Sequence, residues 1–242
     1  MTAAEVITVT IRRGGERGVP VSADFQVPIA GDPIVLDLVT AIQRDQAPDL
    51  GYRFSCRVGM CGSCAMLVQG RPRWTCRTRV SLVVRRGRLD LAPLPGLPVV
   101  KDLAVDMAPF FEKWTAAGGR FRPCESGDAA LALVAPESPA RRAADAAIEC
   151  IGCGVCAAAC RVAGAEPGYP GPAALNRLWT LVNDVRDADG PRRLAEVAGP
   201  GGLFTCHSQG ACTECCPKGL DPSRSIAGLK RAAVVAALRG TL

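Results

Sequence analysis

Cys150-Ile151-Gly152-Cys153-Gly154-Val155-Cys156-Ala157-Ala158-Ala159-Cys160 spaces four cysteines as C-x2-C-x2-C-x3-C. Farther along, Cys206, Gln209, Cys212 and Cys216-Pro217 repeat the frame with Gln in the second ligand's place. Where two such runs act together, the fourth cysteine of each ligates the iron-sulfur cluster of the other. That rule groups Cys150, Cys153 and Cys156 with Cys216, and it groups Cys206 and Cys212 with Cys160. The first set offers four thiolates, enough for a [4Fe-4S] cluster. The second offers three, which suits a [3Fe-4S] cluster, because the iron that Gln209 cannot hold by sulfur is the one left out.

A third set lies upstream. Cys56, Cys61, Cys64 and Cys76 have the plant-type [2Fe-2S] spacing, C-x4-C-x2-C followed by a more distant Cys. Gly59 and Gly62 fall where the chain must wrap closely around a cluster and turn its backbone N-H groups toward sulfur. The three sets account for eleven of the thirteen cysteines and leave Cys124 and Cys215. Cys215 reads as a small unligated thiol, with a substitute ligand for position 209 as the alternative. Cys124, in Arg122-Pro123-Cys124-Glu125, reads as an incidental thiol.

Composition removes the competing explanations. No basic, apolar and small-residue leader is visible from Met1 to Val6, so export is not expected, and in a reducing compartment such spacing favours metal over disulfides. Structural zinc closes four donors from two Cys pairs on one ion, whereas Cys150 to Cys160 crowds four thiols into one short stretch. The net charge of +6 is spread along the chain and aromatics are 5% of it, without a stacking motif, so nucleic acid is not an expected partner. No stretch reaches the roughly 18 apolar residues that span a bilayer. Membrane attachment must come through other chains.

The pattern between the motifs divides the chain at 98. Val6 to Ile11 and Ala23 to Val27 alternate as a hairpin, and Asp32-Pro33 predicts an N-cap and first turn for a helix through Ile42. Strand-like Ala65 to Val68, Trp74 to Cys76, Ser81 to Val84 and Arg88 to Leu91 complete a small beta-grasp sheet over 1–98. The Pro-rich stretch Pro93 to Pro98 ends it. Over 99–242 the pattern is helical, at Val105 to Trp114, Arg141 to Ile148, Ala173 to Val182 and Ile226 to Leu238. The fold class expected is α+β: a plant-type [2Fe-2S] ferredoxin domain followed by an α-helical two-cluster ferredoxin domain. Trp74, Trp114 and Trp179 read as packing residues.

Three different cluster motifs in this order resemble the iron-sulfur subunit of succinate dehydrogenase and fumarate reductase. The resemblance runs through Ser55-Cys56-Arg57 to Cys76, Cys150 to Cys160, Gly171-Pro172-Ala173, Cys206-His207-Ser208 and Cys216 to Pro222. It implies a relay from FAD on a partner flavoprotein subunit, through [2Fe-2S], [4Fe-4S] and [3Fe-4S], to a quinone at the interface with membrane anchor subunits. It also implies a peripheral location on the cytoplasmic face of the inner (plasma) membrane. His207, the one histidine, matches a family position near the quinone, although an imidazole there can instead hydrogen-bond a cluster sulfur. Lys230 matches another such position, although a helix-face Lys is often only solvated. Arg161 stands where the family commonly has Pro, and 161–169 lacks the Trp that many quinone-reactive members carry. A soluble fumarate reductase with a non-quinone donor and a stand-alone polyferredoxin remain the other readings. The direction, succinate oxidation or fumarate reduction, is not written in these residues.

Overall fold

The computed structural model describes residues 5–14, 19–124 and 134–242. The chain forms two compact units, one of Met1–Met107 with Ile151–Ala159 and one of Ala108–Cys150 with Cys160–Leu242.

In the first unit, β1 (Glu5–Arg13) and β2 (Val21–Ile29) pair antiparallel. The Gly-rich turn expected between them lies mostly over 15–18, outside the described residues. Alternation along β1 puts Ile7, Val9 and Ile11 inward, and Phe25 and Val27 join them from β2. Across this apolar face lies α1 (Val35–Asp45), whose Val35, Leu38, Val39 and Ile42 enter the same core. The sheet is completed by β3 (Ala65–Val68), β4 (Arg71–Trp74) and β5 (Arg88–Ala92) in the order β2-β1-β5-β3-β4, with β1 and β5 parallel. This is the beta-grasp arrangement.

Three details differ from the pattern reading. Helix α1 starts at Val35, because Asp32 turns away to accept from Ser81 N at 3.2 Å and from Arg79 at 3.3 Å. Asp37 receives the Ile34 N-H instead, at 3.2 Å. The stretch read as a strand at Ser81 to Val84 is largely a 3-10 turn, Val80–Leu82, tied to Pro33 O by Val80 N at 2.9 Å. The first unit also continues past 98. Strands β6 (Val99–Lys101) and β7 (Ala104–Val105) form a second small sheet. Between them, the buried Asp102 carboxylate accepts from Gly14 N at 3.0 Å and Gly51 N at 2.9 Å. Arg13 pairs with the same carboxylate at 3.3 Å.

Helices build the second unit: α2 (Ala108–Ala116), α3 (Pro139–Ile148), α5 (Arg161–Ala165), α6 (Pro172–Val182), α7 (Gly190–Ala198), α8 (Ala211–Glu214) and α9 (Pro222–Leu238), while α4 (Val155–Ala159) belongs to the first unit. Helices α6 and α9 cross closely because Gly228 of α9 leaves no side chain against the Trp179 ring of α6. Trp179 in turn donates to Ala143 O of α3 at 2.8 Å. Leu175, Leu178, Leu203, Ile226 and Leu229 fill the core between these elements. A buried ion pair closes the far side, Arg193 to Asp187 at 2.8 Å, with Arg193 also bonded to the carbonyls of Gly118 and Arg120.

Candidate iron-sulfur sites

The loop from Cys56 to Cys64 is wound by backbone conformations that side chains resist, with positive φ at Arg57 (58°), Gly59 (76°) and Gly62 (71°). The winding turns N-H groups inward. Met60 N and Cys61 N point at the Cys56 sulfur at 3.2 and 3.3 Å. Those donors, Cys61 first and then Val58 and Met60, lower the Cys56 thiol to about 6, so it is largely thiolate at neutral pH and ready to take iron. Arg57, held in its left-handed turn, pairs with Asp37 of α1 at 2.7 Å and anchors the loop to the sheet domain.

Two pairs of thiols interact most strongly, Cys56 with Cys61 and Cys64 with Cys76, and Cys56 also acts on Cys76. The second pair is buried, and burial first, then the neighbouring Cys64, raises Cys76 to about 11. Thr75 fixes Cys64 by donating its N-H and hydroxyl to the Cys64 carbonyl at 3.3 and 3.0 Å. Cys76 itself sits in a 3-10 turn, Thr75–Arg77, that follows β4 where the pattern had suggested continuing strand.

Two buried side-chain nitrogens just before Cys76 in sequence lack a protein partner, Arg73 Nε and Trp74 Nε1, the full set of such side-chain atoms among the described residues. Both lie on β4, which packs against α4, and the Trp74 ring abuts Gly59 of the cluster loop. Buried donors without acceptors are costly, and the sulfides of a cluster are acceptors of the kind they need. Among the described residues, no three His, Cys, Asp or Glu side chains close around a single ion.

In the second unit, Cys160, Cys206 and Cys212 line one pocket with Tyr169, His207, Ser208 and Gln209, enclosing about 360 Å³ including the solvent at its mouth. Cys206 and Gln209 flank a left-handed turn at Ser208 (φ 55°), which directs Ser208 N at the Cys206 sulfur, 3.4 Å away. Cys212 lies in the short α8, one residue after its start, and is placed by a hydroxyl network. Its sulfur lies 3.4 Å from Ser223 Oγ, and Thr213 joins Ser223 to the α9 cap Asp221 at 3.0 and 2.8 Å. Burial raises the Cys212 thiol against the opposing pull of Ser223 and Thr213. Tyr169, buried in the pocket wall beside Cys206, is pushed up by burial first and then by the Cys206 and Cys160 sulfurs. Sequence reading did not single out Tyr169. His207 and Gln209 are exposed at the mouth, and Lys230 reaches from α9 to donate to the Cys206 carbonyl at 2.6 Å.

For the remaining set, Cys150 and Cys216 belong to the second unit and Cys153 and Cys156 to the first. Within the second unit, Lys218 pairs with Glu149 at 3.5 Å, so the segment after Cys216 meets the residue before Cys150. Cys150 leaves the end of α3, and that end is held by a buried chain: Ser225 Oγ donates to Asn176 at 2.9 Å and Asn176 donates to Ala147 O at 3.1 Å. Cys124 is exposed and bound through its N-H to Arg186 O at 2.9 Å and through its thiol to Val185 O at 3.7 Å.

Comparison with known proteins finds two matching family domains along the chain. Residues 8–112 match a 2Fe-2S iron-sulfur cluster binding domain, and residues 146–220 match a 4Fe-4S dicluster domain. The fumarate reductase iron-sulfur subunit of Haemophilus influenzae is 33% identical over 221 residues, 86% of this chain and 84% of its own. The mitochondrial succinate dehydrogenase [ubiquinone] iron-sulfur subunit 1 of Oryza sativa subsp. japonica is 34% identical, over 86% of this chain and 74% of its own. A chain of the Mycobacterium smegmatis Sdh1 complex in the apo form superposes with a TM-score of 0.85 at 26% identity, covering 96% of this chain and 97% of that one.

Proposed function

Because the chain belongs to the family of succinate dehydrogenase and fumarate reductase iron-sulfur subunits, we propose that its thirteen cysteines divide as follows. Cys56, Cys61, Cys64 and Cys76 hold [2Fe-2S]; Cys150, Cys153, Cys156 and Cys216 hold [4Fe-4S]; Cys160, Cys206 and Cys212 hold [3Fe-4S]; Cys124 and Cys215 stay outside. When bound, the clusters carry single electrons between FAD on the partner flavoprotein and a quinone beside the membrane anchor. No helix among the described residues is long and apolar enough to cross a membrane. The subunit is therefore held at the membrane by its complex, and the proposed side is the cytoplasmic face. The domains take 1–98 and 99–242 as their sequence limits, with the β6–β7 hairpin and 151–159 packing onto the first.

The protein's part is positional and electrostatic. Backbone N-H groups in the first loop favour thiolate at Cys56 and stabilise added negative charge there. Burial of Cys64 and Cys76 makes the other half of that site drier. At the terminal pocket the thiols face inward while His207 stands at the mouth. A quinone head that meets His207 finds a hydrogen-bonding imidazole exposed at the mouth of that pocket. The Lys230 ammonium, fixed on Cys206 O, places positive charge beside the same site and favours electron arrival.

The observation that carries this reading is the meeting of Cys160, Cys206, Cys212 and His207 at one pocket, with Lys230 bound to Cys206. Its test is His207→Ala in the purified complex, assayed with a short-chain quinone and with a soluble one-electron dye. Quinone reduction should fall at least about tenfold while succinate-to-dye activity and all cluster signals persist. Equal loss of both activities, or loss of neither, would remove His207 from the quinone site.

A further inference from the structure

We propose that Tyr169 tunes the terminal cluster, its hydroxyl donating a hydrogen bond to the Cys206 sulfur and thereby raising the cluster's reduction potential. This rests on the assignment of Cys160, Cys206 and Cys212 to that cluster. Tyr169 would be a positioning and tuning residue acting through a ligand; it need not touch the quinone.

Tyr169 is 1% exposed and packs in the core formed by Leu175, Leu178 and Leu203. A phenol O-H in such surroundings requires an acceptor, since a buried hydroxyl left unpaired is costly. Tyr169 is absent from the buried polar side chains that lack a partner, and it shares its pocket wall with the Cys206 sulfur, which acts on the phenol. The ring is held in place from both sides in sequence. Tyr169 N donates to Glu166 O at 3.1 Å, and Gly171 (φ 90°) with Pro172 starts α6 immediately after.

The direction of the effect follows from charge. An added electron makes the cluster and its thiolates more negative, and a hydrogen bond to a charged acceptor strengthens as that charge grows. The reduced form gains more than the oxidised form. Ser208 N is a second donor to the Cys206 sulfur, at 3.4 Å, but Ser208 is exposed and Tyr169 is not. Water competes less with the buried bond, so it has more leverage. Ionisation does not complicate this, because a phenol stays protonated until about pH 10 even in water.

The experiment is Tyr169→Phe in the intact complex, followed by electron paramagnetic resonance during a redox titration. The three-iron midpoint should fall by an amount equivalent to roughly a tenfold change in the one-electron equilibrium, ~59 mV, with the [2Fe-2S] midpoint unmoved. In D2O, the wild-type three-iron signal should show a strongly coupled exchangeable deuteron that the variant lacks. An unchanged midpoint with that deuteron retained overturns the hydrogen bond and leaves the cluster assignment intact. A wild-type complex with no three-iron signal overturns the assignment, and the inference with it. If the Phe variant does not assemble, 3-fluorotyrosine at 169, a stronger donor, should raise the midpoint, and a fall or no change contradicts the inference.

Discussion

Gly62 lies so close to Cys153 that a Cβ on the glycine would run into the cysteine's own Cβ and come within 3.2 Å of its Cα. Both residues belong to the first unit, so the loop of the [2Fe-2S] site and the start of the next cysteine run touch there without an intervening side chain. A relay needs short gaps between carriers, and a glycine gives the shortest one available.

Gly62→Ala should therefore disturb two sites at once. Gly70 is the control, since its φ of 74° is as left-handed as the 71° of Gly62 but nothing lies within 4 Å of its missing side chain. Gly70→Ala should cost only the strain of that conformation, about 1–2 kcal/mol, and keep full cluster content. For Gly62→Ala, the [2Fe-2S] and [4Fe-4S] resonance intensities should fall together to less than about half. Equal behaviour of the two variants would mean that the contact does not matter.

Asn176 is 1% exposed and joins Ser225 to the end of α3, where Cys150 emerges. Asn176→Leu removes both bonds, leaving Ser225 Oγ only Asp221 O at 3.5 Å and Ala147 O only backbone donors such as Cys150 N at 3.3 Å. It should destabilise the fold by about 0.5–1.5 kcal/mol per bond lost, with [4Fe-4S] content reduced first. Adding Ser225→Ala removes the hydroxyl that lost its better acceptor and should recover part of the loss. Thermal melts of the wild type, both single variants and the double variant measure this coupling; strict additivity would show that the chain is not a unit.

The Arg193–Asp187 pair has side-chain exposures of only 4% and 0%. Burial alone would raise the Asp187 carboxyl, but Arg193 and the N-H groups of Arg122 and Asp189 hold it below its ordinary value of 3.8. A depressed folded pKa gives stability that is present above the unfolded value and lost as pH falls through the folded one. Asp187→Asn should cost about 3–5 kcal/mol at pH 7, because it leaves a buried guanidinium unpaired. It should also flatten the acid limb of melting temperature against pH below about 4. An acid limb identical to wild type would show that Asp187 does not carry it.

Crossed ligation is separable by two serine substitutions. Cys216→Ser should damage the [4Fe-4S] signal, whose other ligands lie far upstream, while Cys160→Ser should abolish the three-iron signal of the downstream pocket. Loss in each case of the cluster nearest in sequence would reverse the assignment of Cys160 and Cys216.

Much of the fold was legible because spacing and alternation leave little freedom. The β1–β2 hairpin, α1, α6 and α9 appear where the apolar pattern places them, within a few residues at their ends. The misreadings share a cause, tertiary partners outbidding local signals. Asp32 had the look of an N-cap, yet Ser81 and Arg79, far away in sequence, claimed its carboxylate. Ser81 to Val84 had strand composition, yet Val80 N is bound to Pro33 O and the segment turns. At the terminal site the spacing of cysteines was readable, while Tyr169 was not, because no motif announces an aromatic that joins a cysteine pocket through the packing of the fold. Its one local signal was an aromatic with a polar end just before Gly171-Pro172. Lys230 looked like a solvated helix-face residue from its surroundings in sequence, and only the packing of α9 shows it on Cys206 O.

The central claim, three different clusters in one chain, is tested most directly by measuring iron, acid-labile sulfide and zinc on the anaerobically purified complex together with its resonance spectra. Two, four and three irons give about nine per copy, with a three-iron signal in the oxidised sample and a [2Fe-2S] signal after mild reduction. Stoichiometric zinc with little sulfide would contradict the account.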